Sequence, residues 1–173
     1  MPIFLDACAL AKRYLHEGES TLRMRRITSR FEGWGGFVVS SLIEPEVISA
    51  LGKYARAKAS HAAHYYRLHP RVVDTFRRDL SHPAFTIVPV TDDEVEAAAD
   101  LLRAHPEYRI GAADAIHLAT AQALAAQRKT ETPLVFVTAD NGLAEAARES
   151  GLTVFNPLYQ RPEDLEAIIE RAA

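Results

Sequence analysis

An α/β fold, with a central parallel sheet covered by helices on both faces, is what this sequence predicts, and three observations predict it. Short β-branched and aromatic runs alternate with amphipathic stretches of helical length from one end to the other. The stretches between runs are long enough to be crossover helices, and strands joined by such helices lie parallel. No repeat, low-complexity tract or linker interrupts the alternation, so the 173 residues are expected to form a single domain spanning 1–173.

The first strand is Pro2-Ile-Phe-Leu5, followed by an amphipathic helix over about Ala7 to His16 with Leu10, Ala11 and Tyr14 turned inward. Glu17-Gly-Glu-Ser20 breaks that pattern, and Ser20 is the expected cap of a helix to about Phe31. A Gly33-Trp-Gly-Gly36 turn then leads into a strand over 37–40. Ser41-Leu-Ile-Glu44 has capping-box spacing, and Pro45 is tolerated in a first turn, which predicts a helix over about 42–57. Residues 60–80 read as a helix bent near Pro70, with Tyr65, Tyr66, Leu68, Val72, Val73 and Phe76 as its buried positions. Phe85-Thr-Ile-Val-Pro-Val90 is a strand, and Thr91-Asp-Asp-Glu94 is a second capping box before a helix to about His105. A helix over 112–127, a strand over 134–138, a helix over 141–149, a strand over 153–155 and a helix from about Glu163 complete the series.

Hydrophobic residues at 48% and charged residues at 25% are ordinary for a globular chain and argue against disorder. No apolar run approaches the roughly 18 residues of a membrane span. The N-terminus lacks the basic region of a signal peptide, and the single cysteine, Cys8, cannot form an internal disulfide; both fit a cytoplasmic protein. The net charge of -3 is not the footprint of a nucleic-acid binder, yet bases cluster at Lys12-Arg13, Arg23-Met-Arg25-Arg26, 53–58 and 67–78. Each cluster reads equally well as a solvated helix face.

Chemistry concentrates in four acids. Asp6 ends the first strand, Asp140 follows 134–138, Glu46 follows the strand over 37–40, and Asp114 sits in the apolar stretch Gly111-Ala-Ala-Asp-Ala-Ile-His-Leu-Ala-Thr-Ala121. Open parallel sheets gather the carboxyl ends of their strands along one crevice, which brings such residues together. Four carboxylates in one pocket repel one another, and an all-oxygen set suits Mg²⁺ or Mn²⁺, with phosphodiester cleavage as the leading chemistry. Each acid also has a structural reading. Asp6 and Asp140 stand where helix caps stand, Glu46 falls in a first turn, and Asp114, expected to be largely buried, could pair with Arg109 or His117. His61-Ala-Ala-His64 has no further ligands nearby and reads as polar surface. No Gly-rich phosphate loop, nucleophile elbow or Cys-x-x-Cys motif is present.

Four blocks carry a family resemblance: Ile3-Phe-Leu-Asp-Ala-Cys-Ala-Leu-Ala-Lys-Arg-Tyr14, Ser40-Ser-Leu-Ile-Glu-Pro-Glu-Val-Ile-Ser-Ala-Leu51, Ala113-Asp-Ala-Ile-His-Leu-Ala-Thr-Ala121 and Val135-Phe-Val-Thr-Ala-Asp-Asn-Gly-Leu-Ala144. In order and spacing they resemble PIN-domain ribonucleases, in particular the VapC-like toxins of type II toxin-antitoxin modules. The resemblance implies a three-layer α/β/α PIN-like fold and a metal set of Asp6, Glu46, Asp114 and Asp140. Glu46 is preferred to Glu44 because Ala50-Leu51 follow it at the family spacing, and Thr138 is implied as a supporting hydroxyl. The chain departs from the family after Asp6, where Ala7 and Cys8 replace the usual hydroxyl residues.

The implied activity is Mg²⁺- or Mn²⁺-dependent endonucleolytic hydrolysis of RNA. Single-stranded or loop RNA is favoured, with Arg13, Lys53 and Arg109 as backbone contacts. The implied partners are a cognate antitoxin, docking near Leu22, Ile27 and Tyr65-Tyr66, and a second copy of the chain. A housekeeping RNA-processing nuclease, or a catalytically silent PIN-like RNA- or protein-binding protein, are the alternatives.

Overall fold

A computed structural model of the chain describes residues 2–30, 36–58, 62–127 and 133–171, with side chains for all of these except 62–68. The elements are β1 (Ile3–Leu5), α1 (Ala7–Lys12), α2 (Glu19–Thr28), β2 (Phe37–Ser40), α3 (Ile43–Lys58), α4 (Ala62–Leu80), β3 (Phe85–Val88), α5 (Asp92–Ala104), a 3-10 turn (Pro106–Tyr108), α6 (Ala112–Gln127), β4 (Val135–Val137), α7 (Asn141–Glu149), β5 (Thr153–Phe155) and α8 (Pro162–Arg171). The five strands form one parallel sheet in the order β3-β2-β1-β4-β5. The expected fold class is therefore present.

Strand residues face opposite sides of the sheet in alternation, and this builds two cores from the same short strands. Ile3, Leu5, Phe37, Val39, Val135, Val137 and Phe155 point to one side, where α1, α2, α3, α4 and α8 cover them through residues such as Leu10, Met24, Val47, Phe76 and Leu165. Phe4, Phe136 and Val154 point to the other, against α6 and α7 through Leu118, Ala121, Leu143 and Ala147. Ala98 of α5 packs on Ala115 and Ala119 of α6, where small side chains allow close approach. Sequestering each of the larger apolar side chains contributes roughly 1.5–3 kcal/mol, and the sheet is held from both faces.

Local departures from the sequence reading have identifiable causes. Helix α1 stops at Lys12, earlier than His16. The cap of α2 is Gly18, whose φ of 70° suits glycine, and Ser20 instead donates its hydroxyl to the Glu17 carbonyl. The capping box at Ser41 does not operate as expected. The Ser41 Oγ accepts from Val90 N at 3.1 Å, Glu44 pairs with Arg77, and the Ser40 Oγ accepts from Leu42 N. The second box is as expected, with Thr91 N donating to Glu94 Oε2 at 2.7 Å. Pro70 lies inside α4. Residues 31–35 of the expected glycine turn, His61, and the side chains of His64, Tyr65, Tyr66 and Leu68 lie outside the described residues. Among the described residues no helix is long and apolar enough to cross a membrane.

Candidate active site

β1 lies at the centre of the sheet, with β2 on one side and β4 on the other. Connections leaving such neighbours in opposite directions open a crevice at the carboxyl ends of the strands. Asp6 follows β1 directly, and its N-H donates to the Val137 carbonyl at 3.0 Å, locking it beside the end of β4. It caps α1, accepting from Cys8 N at 3.3 Å. Asp140 in turn caps α7 through Leu143 N at 2.8 Å. The capping and site readings thus coexist, because a helix starting at the end of a parallel strand puts its cap in the crevice.

Thr138 ties these two acids together. Fully buried, it donates its hydroxyl to Asp6 Oδ2 at 3.0 Å and accepts from Asp140 N at 3.1 Å. Cys8 completes the cluster: its thiol donates to the same Asp6 oxygen at 2.6 Å, lies 3.2 Å from Thr138 Oγ1 and accepts from Ala139 N at 3.1 Å. The thiol therefore makes polar contacts of the kind a hydroxyl there would make. Burial first, then the Asp6 charge and its hydrogen bond, push the Cys8 pKa well above the ordinary thiol value.

The other two acids arrive from α3 and α6. Asp114, in the first turn of α6, is half-buried rather than largely buried, and accepts from Gly111 N at 2.9 Å. Glu46, in the first turn of α3, accepts from His117 Nε2 at 2.9 Å. His117 is not the partner of Asp114. It is fully buried, 3.0 Å from Ser40 Oγ through Nδ1 and 3.9 Å from Asp6 Oδ1 through Nε2. Burial opposes its charging, but the Glu46 hydrogen bond and the charges of Asp6, Glu46 and Asp114 prevail, and its pKa stands above the usual imidazole value.

The segment that delivers Asp114 is held by close backbone contact. A Cβ at Gly142, in the first turn of α7, would collide with the Tyr108 carbonyl oxygen, so glycine lets the 106–108 turn lie on that helix end. Arg109 then adopts a left-handed φ of 54° and turns the chain toward α6.

Two observations bear on whether these residues suit a divalent cation. Asp6 Oδ1 is buried without a hydrogen-bond partner, an arrangement that costs free energy unless something positive meets it. Burial, and the charges of Asp6, Asp140 and Glu46, raise the Asp114 pKa above the usual carboxylate value despite the Gly111 hydrogen bond that lowers it, so the four acids repel across a shared space. Among the described residues no three acidic, histidine or thiol side chains stand preassembled at coordination distance. Each acid has one oxygen engaged by a neighbouring donor, and such a set must draw inward to hold an ion. The all-oxygen donors fit a hard cation.

The bases proposed from sequence differ in setting. Lys53 and Arg109 are exposed, whereas Arg13 donates to Asp79 at 3.0 Å and Thr28 at 2.6 Å. Of the apolar residues proposed for a partner, Leu22 is exposed but Ile27 is fully buried in the core, which removes it from any docking face. Cys8, His117 and Ser40 are site neighbours whose contacts the sequence reading did not assign. The available signal for His117 was its position three residues after Asp114, on the same side of an apolar helix.

The sequence model of the PIN domain family matches residues 3–149. No curated protein matches significantly. Among solved structures, the FitAcB structure from Neisseria gonorrhoeae aligns with a TM-score of 0.58 at 20% identity, covering 91% of this chain and 99% of that one. VapC20 from Mycobacterium tuberculosis, described as a sarcin-ricin loop cleaving toxin, aligns with a TM-score of 0.55 at 17% identity over 70% of this chain and 82% of its own. VapBC2 from Rickettsia felis, bound to a DNA fragment from its promoter, aligns with a TM-score of 0.52 at 14% identity over 90% and 98%. At these identities the likeness is one of fold.

Proposed function

The chain belongs to the PIN domain family, and on that premise we propose that it is a metal-dependent endoribonuclease, the toxin of a type II toxin-antitoxin module. The observation that carries the proposal is the gathering of Asp6, Glu46, Asp114 and Asp140 about one space, with a buried oxygen on Asp6 that accepts no hydrogen bond.

Asp6, Glu46, Asp114 and Asp140 would hold Mg²⁺ or Mn²⁺, which supplies Lewis acidity toward the phosphate and a lowered pKa for the attacking water. The chain's own part is to fix those carboxylates. Thr138 and Cys8 engage Asp6 Oδ2 and leave Oδ1 for the site. His117 holds Glu46, while the Gly111 and Leu143 amides hold Asp114 and Asp140. These bonds restrain each carboxylate on its element, so that the set has only to draw inward to meet an ion. Lys53 and Arg109, exposed, are the proposed contacts to the RNA backbone; Arg13 would join them only by giving up Asp79.

A cognate antitoxin and a second copy of the chain are the proposed protein partners. Similarity in fold to the FitAcB and VapBC2 structures supports the antitoxin. The deciding experiment incubates the purified chain, freed from any partner, with an RNA pool in Mg²⁺, Mn²⁺ or EDTA beside Asp114→Asn. Metal-dependent cleavage absent from the variant is expected; equal cleavage by both would overturn the assignment.

A further inference from the structure

An exposed tyrosine is hydrogen-bonded to the residue that follows Asp140 and stands on a turn braced from several directions. Tyr159 is 69% exposed, the most solvent-open of the large apolar side chains among the described residues. Its turn is nonetheless pinned from several directions. Asn156, almost fully buried, accepts from Leu158 N through Oδ1 at 2.9 Å, donates from Nδ2 to Asn141 Oδ1 at 3.2 Å, and donates from its amide to Gln160 Oε1 at 2.7 Å. Its carbonyl accepts from Tyr159 N and Gln160 N. Arg23 of α2 donates to the Pro157 and Leu158 carbonyls at 3.1 and 2.9 Å.

This bracing does not bury the ring; it orients it. The phenol oxygen accepts from Asn141 Nδ2 at 3.1 Å, and Asn141 is the residue after Asp140, whose Cα lies about 3.8 Å away along the chain. The hydroxyl end of the ring is therefore tethered to the first residue of α7, one position along the chain from Asp140, while most of its surface faces water. A fixed, exposed aromatic surface is the physical requirement for stacking an unpaired base, since every base has a π-face and little entropy is lost in ordering the platform. Arg161, exposed two residues on, offers a cation for an adjacent phosphate.

We propose that Tyr159 is a stacking platform for an unpaired nucleobase of the RNA strand, next to the phosphate held at the acid cluster. The inference rests on the nuclease reading above and adds a residue that sets where the strand lies. It assigns Tyr159 to positioning the substrate and leaves the chemical step to the carboxylates.

The test uses a fluorophore-labelled, mixed-sequence single-stranded RNA dodecamer. Binding is measured in the Asp114→Asn background and cleavage in the parent, each with Tyr159, Tyr159→Ala and Tyr159→Trp. Base stacking on aromatics predicts that alanine raises Kd and KM by roughly 5- to 150-fold, with kcat at saturation within about twofold, and that tryptophan restores affinity. The loss should be the same factor at every salt concentration, because no phosphate contact is removed, whereas Arg161→Ala should lower the salt slope. The exposed ring can be removed without unfolding the chain, which a thermal melt checks. If the parent binds and cleaves but alanine matches it, the stacking inference fails and the nuclease reading stands. If the parent neither binds nor cleaves, both fall. If alanine spares RNA but weakens binding of a co-expressed partner protein, the ring serves protein docking and the inference is overturned.

Discussion

His117 Nε2 lies 2.9 Å from Glu46 Oε2 while its Nδ1 lies 3.0 Å from Ser40 Oγ, so one buried imidazole links the end of β2 to the first turn of α3 through a residue of α6. The link decides where Glu46 points. Removing the ring would leave the buried Ser40 hydroxyl without it and free the Glu46 carboxylate to swing toward solvent. His117→Ala is expected to cost about 1–3 kcal/mol of stability and to lower kcat, whereas His117→Asn should keep one of the two links and fall between. Urea unfolding alongside RNA cleavage checks the order; equal activity in all three proteins would separate His117 from the site.

Cys8 gives a second prediction, about reactivity. A half-buried thiol hydrogen-bonded to a carboxylate stays protonated, and the thiolate is the nucleophile. Alkylation by iodoacetamide at pH 8 should therefore be much slower in the folded chain than in urea, as followed by mass spectrometry. Cys8→Ser should retain cleavage, because a hydroxyl can still donate to Asp6, whereas Cys8→Ala should weaken it. Rapid alkylation of the native protein at neutral pH would show that the thiol is not held protonated against Asp6.

The parallel sheet, with Asp6 and Asp140, was legible in the sequence because both depend on local signals: strand-length apolar runs, and acids at their ends. Glu46 and Asp114 lie in helices and were picked out by the family spacing and by an acid standing in an apolar stretch. Of the supporting polar network the family resemblance supplied Thr138, but the pairings themselves were not legible. His117 reaches Glu46 and Ser40 across 71 and 77 positions, and Thr138 reaches Asp6 across 132. No periodicity encodes such pairs. The Thr91 and Ser41 boxes show the same divide. Thr91 and Glu94 bond each other, as their spacing predicts, while at Ser41 the neighbouring chain end at Val90 and the Arg77 side chain compete successfully for the same groups. Tyr159 was invisible for a further reason: an aromatic after a strand normally reads as core, and only the fold shows it in solvent.

Asp114 carries the electrostatic prediction. Its pKa is raised by burial and by Asp6, Asp140 and Glu46, so the metal-free protein contains repulsion that one neutral substitution relieves. Asp114→Asn keeps an oxygen for the Gly111 amide and should raise metal-free stability by about 0.5–2 kcal/mol while abolishing cleavage. Mg²⁺ at about a hundred times its Kd should stabilise the parent by about 2.7 kcal/mol and the variant by much less. Thermal melts in EDTA and in Mg²⁺ read both effects. A variant less stable than the parent in EDTA would mean that the acids do not share a charged site.

The Tyr108–Glu149 pair predicts a pH dependence at the opposite extreme. Tyr108 donates its hydroxyl to the Glu149 carboxylate, and that bond, then burial and the Glu149 charge, lift its pKa to about 12. An unfolded tyrosine titrates near 10, so the native state binds the proton more tightly than the unfolded one. The contribution to stability is then fully present below about pH 10 and is lost as pH rises toward 12, where deprotonation would set two negative oxygens together. Tyr108→Phe lacks this contribution, so urea midpoints for parent and variant should converge between pH 10 and 12 from a gap established at lower pH. A constant gap across that window would show that the pair does not couple to folding. Because the Tyr108 turn rests on Gly142 and leads through Arg109 to α6, the same alkaline titration should loosen the approach to Asp114 before the sheet itself gives way.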